Sequence, residues 1–226
     1  MSKTKDEAGK GSNVLAGIVF SLLSLLMSFS FSLAVTRFEA TRHILVEEAN
    51  AIGTASLRVG LLTKADQPAI RTQMAKYADA RLAFGEALAN GDDTTKATAE
   101  THRLQATIWS AAMDSMDRAS RESTRNQVTP ALNQMFDIAA TRQEAASTRL
   151  PGLIFLLLGV SSIASAILGG RALAGRTTRS WGHRIICSAV LAFVVYVIVD
   201  LDDPRQGLIR VDKADQMLRD VRASMH

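Results

Sequence analysis

The side chains best suited to chemistry lie where an apolar run ends. In VIVDLDDPRQGLIRV, residues 197–211, three carboxylates leave the run at Asp200, Asp202 and Asp203 and meet Pro204 and Arg205. Calcium takes about six to eight oxygen ligands, so three aspartates with nearby carbonyls could supply part of a coordination shell. The spacing lacks the alternate-residue ladder and closing glutamate of an EF-hand loop. Arg205 and Arg210 could also neutralise the same carboxylates, while Pro204 stops a helix. Calcium is one reading and a helix stop with ion pairs is the other; no further cofactor is implied.

Two other sets could act. His43 and Glu47, four apart, would share a helix face as two of the roughly four ligands that zinc needs. Two ligands do not make a site, and His102, His183 and His226 have no partners at ligand spacing. Gly17, Ser21, Ser24, Ser28 and Ser32 follow at intervals of four, three, four and four, which places all five on one helix face. Such a stripe could line a hydrated pore. It could equally let helices approach closely, with Gly159, Ser162, Ala166 and Gly169 as the matching surface. No nucleophile elbow, paired-histidine zinc motif, phosphate loop or dinucleotide fingerprint occurs, so the chain is not expected to be an enzyme.

The elements that carry these residues are set by where the apolar residues fall. Of 226 residues 47% are hydrophobic but 5% aromatic, and the apolar ones gather in three uncharged runs, 14–35, 150–170 and 185–199. The first two reach the roughly 20 residues that a helix needs to cross a bilayer, and the third is short by that measure. The expected organisation is an N-terminal tail (1–13), a first transmembrane helix (14–35), a helical bundle (36–149), a second transmembrane helix (150–170), a basic loop (171–184), a third transmembrane helix (185–199) and a polar C-terminal tail (200–226). Lys3, Lys5 and Lys10 with Ser32-Leu33-Ala34 could also mark a secretory signal, but the first run exceeds the roughly 7–15 apolar residues of a signal core. No charge falls inside a run, which argues against a proton relay or charged ring at mid-membrane.

Charge sets an expected orientation. The loop RALAGRTTRSWGHR carries Arg171, Arg176, Arg179 and Arg184 and no acid, and shares a side with the N-terminal lysines. By the positive-inside rule that side is cytoplasmic, which puts the bundle and the C-terminal tail in the periplasm of a bacterial inner membrane. The net charge of +4 is small and dispersed, so no nucleic-acid partner is expected. The single cysteine, Cys187, lies in the third run as a packing residue and excludes an intrachain disulfide.

Between the first two runs the periodicity is helical. Phe38, Leu45, Ile52 and Val59 recur every seven residues, with Thr41, Glu48, Ala55 and Leu62 in the companion seam, so the first helix continues to about Leu62. Asp66 as an N-cap and Pro68 in the first turn predict the start of a second helix with Ile70, Met74, Tyr77, Arg81, Phe84 and Leu88 on one face, ended by Asn90-Gly91. A third begins near Asp93 and carries Leu104, Ile108, Ala112 and Met116. Thr129-Pro130 predicts the start of a fourth, striped by Leu132, Met135, Phe136, Ala139, Gln143 and Ala146. Glu48 and Arg81 are charges on apolar seams, and a lone buried charge costs several kcal/mol, so the two are expected to form a structural ion pair.

VEEANAIGTASLRVGLL (46–62), YADARL (77–82) and DLDDPRQGLIRV (200–211) together resemble the bestrophin-like domain family of bacterial membrane proteins, a domain of unknown function. The resemblance covers most of the chain in the right order. Many members have four membrane helices in two pairs where this chain shows three, and Asp203 stands where the family often has arginine, which removes any role resting on a base there. Kinship with bestrophins would imply a pentameric anion channel opened by calcium at an acidic clasp after the last membrane helix. It would also imply a cytosolic soluble part, opposite to the charge-based orientation. The expectation is an all-α integral membrane protein in contact with the lipid bilayer: an oligomeric ion (anion) channel with the serine stripe facing the pore. The alternative is a non-catalytic structural or accessory subunit of a larger membrane complex, its small-residue stripes spent on helix contacts.

Overall fold

A computed structural model of the chain describes residues 2–119, 121–147, 152–173, 181–202 and 212–225. The expected roles of Asp203, Pro204, Arg205, Arg210, Arg176 and Arg179 lie outside the described residues. Among the described residues the secondary structure is helical: α1 (Ser2–Val59), α2 (Gln67–Asn90), α3 (Thr95–Ala119), α4 (Glu122–Ser147), α5 (Gly152–Leu173), α6 (Trp181–Asp202) and α7 (Asp212–Ala223).

Local chemistry sets the boundaries. The segment Ser2–Val59 contains no proline and folds as one helix, which takes in residues 2–13 of the N-terminal tail. Beyond Val59 the chain tightens into short-range bonds, Leu61 N–H to the Arg58 carbonyl at 2.9 Å and Leu62 N–H to the Val59 carbonyl at 3.0 Å. Gln67 Nε2 then donates to the carbonyls of Gly60 (3.0 Å) and Leu62 (2.9 Å), satisfying acceptors that the end of α1 leaves open. Pro68 occupies the first turn of α2. That helix ends at Gly91, whose φ of 73° lies in the left-handed region, with Gly91 N–H bonded to the Leu88 carbonyl and Asp92 N–H to the Ala87 carbonyl. Asp93 accepts from the Thr95 N–H (2.9 Å) and hydroxyl (2.6 Å) to open α3, and these bonds hold its carboxyl below the usual range.

Three expectations are corrected. Asp66 occupies the N-cap position of α2 but makes no side-chain capping bond. Instead, hydrogen bonds from Ser115 and from Arg118, the latter at 2.8 Å, hold its carboxyl below the usual range. Pro130 does not start α4 but sits inside it, eight residues after Glu122. A proline leaves the carbonyl four residues earlier without its helical donor, and in that under-bonded turn Arg58 Nη1 donates to the Gln127 carbonyl at 2.8 Å. Finally, the stretch 200–226 is more than a polar tail: Asp212–Ala223 is helical because Leu218 and Val221 share a face that packs inward, followed by Met225.

The chain divides into two compact units, Met1–Phe38 with Arg149–Asp203 and Glu39–Thr148 with Pro204–His226. In the first, Leu23, Met27 and Ala34 of α1 pack with Leu158 of α5 and with Ile198 and Leu201 of α6. Its outer surface stays apolar: Phe29 is 66% exposed, Leu153 72% and Phe193 65%. Two described helical stretches are long and apolar enough to cross a membrane, one starting at Gly17 and one ending at Ile167, and a shorter apolar helix spans Ser188–Leu201.

In the second unit Leu45, Ile52 and Val59 of α1 are buried, as are Ile70, Met74, Tyr77 and Phe84 of α2 and Leu104, Ile108, Ala112 and Met116 of α3. From α4 come Val128, Ala131, Leu132, Met135 and Ala139. Burying each large aliphatic or aromatic side chain contributes about 1.5–3 kcal/mol. Phe136 meets the Tyr77 ring edge-on at 6.3 Å and Trp109 at 6.4 Å.

Candidate functional site

Two arrangements built by these helices could matter for function. The first is the small-residue stripe of α1. Gly17, Ser21, Ser24, Ser28 and Ser32 are all exposed in the single chain. At 3.6 residues per turn, the stripe lies about 130° around the helix from the packing face formed by Leu23, Met27, Ser30 and Ala34. Intrachain packing therefore does not consume it. Gly17 and Gly159 have open space where a Cβ would stand, and Ala166 is exposed, so the expected contact between the two small-residue surfaces does not form within one chain. Three serine hydroxyls bond back along the helix at 2.9 Å: Ser21 to the Gly17 carbonyl, Ser24 to Phe20 and Ser28 to Ser24. No hydroxyl proton among these three needs a partner from outside.

The second arrangement is a buried charge cluster in the bundle. Glu48 is 1% exposed and Arg81 is fully buried, and Arg81 Nε donates to Glu48 Oε1 at 2.5 Å. A second guanidinium, Arg142 of α4, donates to the other carboxylate oxygen. The acid thus serves one arginine with each oxygen, a charge-assisted arrangement of two bonds. Arg81 also reaches the Ala139 carbonyl at 3.5 Å. Phe84 supplies a shared aromatic face, with the Arg81 guanidinium 4.7 Å and the Arg142 guanidinium 5.5 Å from its ring centre. Next to them the Tyr77 hydroxyl donates to the Met135 carbonyl at 3.3 Å, and burial pushes its pKa up to about 12 despite the opposing pull of Arg81.

Residues 4–216 match the bestrophin-like domain as a protein family. The chain belongs to the bestrophin-like domain family. No curated protein matches it in sequence. Its fold is similar to that of a bacterial bestrophin homolog from Klebsiella pneumoniae, whose zinc-phased crystal structure gives a TM-score of 0.71 at 14% identity, over 93% of this chain and 87% of that one. A single-substitution variant of that homolog gives 0.74 at 14% identity over 94% and 87%. A further crystal structure, of a membrane protein with one substitution, gives 0.65 at 15% identity over 94% and 86%.

In this bestrophin-like chain the aspartate segment is described only in part. Asp200 is buried near the end of α6 and accepts from the Tyr196 hydroxyl at 3.4 Å. Asp202 is the last residue of α6, the placement of its side chain lies outside the described residues, and Asp203 lies wholly outside them. His43 and Glu47 meet at 3.4 Å on an exposed face. Among the described residues no three or more histidine, cysteine, aspartate or glutamate side chains gather as a metal site.

Sequence reasoning missed Arg142. It placed Gln143 on the inner stripe of α4, whereas Gln143 is exposed and Arg142 is buried. The available signal was spacing: Leu132, Met135, Ala139 and Arg142 step by three, four and three, a helix face with a charge at its end.

Proposed function

We infer that this bestrophin-like chain is a membrane protein whose apolar part of α1, with α5 and α6, forms three spans. Copies assemble as a ring and pass ions, anions foremost, along a path lined by Gly17, Ser21, Ser24, Ser28 and Ser32. The observation that carries this reading is the exposure of the whole stripe on a face turned from the α5–α6 packing surface. A polar strip on an otherwise apolar helix has a use in a bilayer where it meets water or a second copy. The all-round apolar exterior of α5 and α6 supports contact with lipid, and the family membership supports a channel over a catalyst. Density of arginine over 171–184 supports a cytoplasmic N-terminus and a periplasmic bundle in a bacterial inner membrane. The Glu48, Arg81 and Arg142 cluster lies in the bundle core and holds it together, away from any transport role.

The test is native mass spectrometry of the nanodisc-embedded protein, followed by ion flux from vesicles. A closed ring of four or more identical chains, with flux cut sharply in Ser24→Leu and Ser28→Leu because apolar constrictions expel water, is the expected result. A monomer, a dimer, a hetero-complex or unaltered flux overturns it, and the first three direct attention to an accessory subunit of a larger assembly.

A further inference from the structure

The second unit carries a groove that the pore reading does not use. It has a volume of about 730 Å³ and opens between the turn joining α1 to α2, the outer face of α2, and the end of α7. That size falls among small-molecule sites, roughly 300–1,000 Å³. Its charge is lopsided: Lys64, Arg71, Lys76 and Arg222 line it against a single carboxylate, Asp79. Asp79 is already taken, because Arg222 grips it with Nε at 2.8 Å and Nη2 at 3.1 Å. Among the described residues Lys64, Arg71 and Lys76 enter no ion pair. The carboxyl of Glu100, outside the groove lining, is held low chiefly by Arg103 and more weakly by Lys76.

The cations are also positioned before any ligand arrives. The half-buried Arg71 guanidinium lies against the turn at Gly60, its Nη2 3.5 Å from where a Cβ on that glycine would stand, an ordinary contact distance. Thr72, Lys76 and Asp79 stand at helical spacing of four and three on α2, one face of one rigid element. The N-terminal end of α2, at Gln67 and Pro68, adds the positive end of the helix dipole to the same rim. Met225 and Ala75 supply apolar surface between the charges. A lone halide would leave most of this space and charge unused. Guanidinium and ammonium groups together are the usual partners of phosphate oxygens, the first as a fork and the second as a point charge.

We propose that this groove binds a phosphate-bearing molecule, its phosphates held by Lys64, Arg71 and Lys76, with Arg222 fixed beside them by Asp79. The proposal stands independently of the channel reading. The phosphate can come from a soluble phosphate compound or from a lipid headgroup, and the test separates the two. Full-length protein in phosphatidylcholine nanodiscs is titrated with inorganic pyrophosphate by calorimetry, and retained phosphatidylglycerol is counted by native mass spectrometry. Saturable pyrophosphate binding, weakened about tenfold by each of Lys64→Gln and Lys76→Gln and preserved in Lys76→Arg, establishes a site for soluble phosphate. Phosphatidylglycerol held by the wild type and released by Lys64→Gln/Lys76→Gln, without pyrophosphate binding, establishes the lipid source. Both lysines are exposed, so these variants keep the fold. Absence of both signals, or signals unchanged in Lys64→Gln/Lys76→Gln, overturns the proposal.

Discussion

Replacing Glu48 by glutamine is the most telling perturbation of the bundle. The substitution keeps the shape of the side chain and removes its charge, so Arg81 Nε and Arg142 lose the carboxylate that they share. Both guanidiniums lie in the core, with side chains 1% and 4% exposed, and cannot turn to water without opening it. Removing one partner from a buried ion pair costs about 3–5 kcal/mol. The Phe84 face offsets part of the loss for both arginines, by up to about 2 kcal/mol each where desolvated, and the Ala139 carbonyl retains its bond to Arg81. Arg142 loses the same carboxylate, and the net cost stays near that range. For a chain of this size, 1 kcal/mol moves the melting temperature by about 2–4 °C, so Glu48→Gln should melt about 6–20 °C lower. The assay is far-UV circular dichroism of the detergent-solubilised full chain, run beside Glu48→Leu/Arg81→Met/Arg142→Met. An apolar replacement of the whole cluster should recover most of the loss, because it removes the desolvation penalty with the charges. A Glu48→Gln variant melting within about 2 °C of the wild type would refute the reasoning, as would a triple variant less stable than the single one.

Two further outcomes are expected. Tyr77 should stay protonated well beyond the ordinary range, since burial raises its folded pKa to about 12 from the usual 10.0. The stability tied to its protonated hydroxyl is therefore complete below pH 10 and lost as pH rises through 12; ultraviolet titration of a Tyr196→Phe variant, which leaves Tyr77 as the sole tyrosine, should show no phenolate step near 10. A step near 10 would mean that the hydroxyl is open to water. For orientation, Ser224 is exposed beyond α7, so Ser224→Cys in a Cys187→Ser background should react with a membrane-impermeant maleimide in intact spheroplasts; labelling that appears only after permeabilisation would place the bundle in the cytoplasm.

The helical bundle was legible because its apolar residues repeat cleanly. The stripes Ile70–Met74–Tyr77–Arg81–Phe84 and Leu104–Ile108–Ala112–Met116 are buried, with Leu88 at the end of the first half-buried, since hydrophobic burial acts at each position and leaves a period in the sequence. Where punctuation had to be inferred from one residue, competing terms won. Pro130 reads as a helix start, but eight helical residues precede it because a single missing bond does not outweigh packing of Val128 and the residues that follow. Arg142 and Gln143 are both polar and adjacent, and the spacing from Leu132, Met135 and Ala139 favours Arg142, whose partner Glu48 stands ninety-four residues earlier. The phosphate groove was invisible for the same reason: Arg222 joins Asp79 across 143 residues of chain, and no local pattern encodes that meeting.

Oily seams repeat, and repetition is ambiguous. Leu45, Ile52 and Val59 stand one heptad apart, so α1 displaced by a heptad, about 10 Å along its axis, would offer its neighbours much the same surface. Glu48 has no such understudy. Slid by that distance, its carboxylate would leave both guanidiniums behind in hydrocarbon surroundings, a loss that no apolar gain along the seam replaces. One acid thus tells α1, α2 and α4 which of several near-equivalent alignments is theirs, a zero mark from which every other position along the bundle is counted.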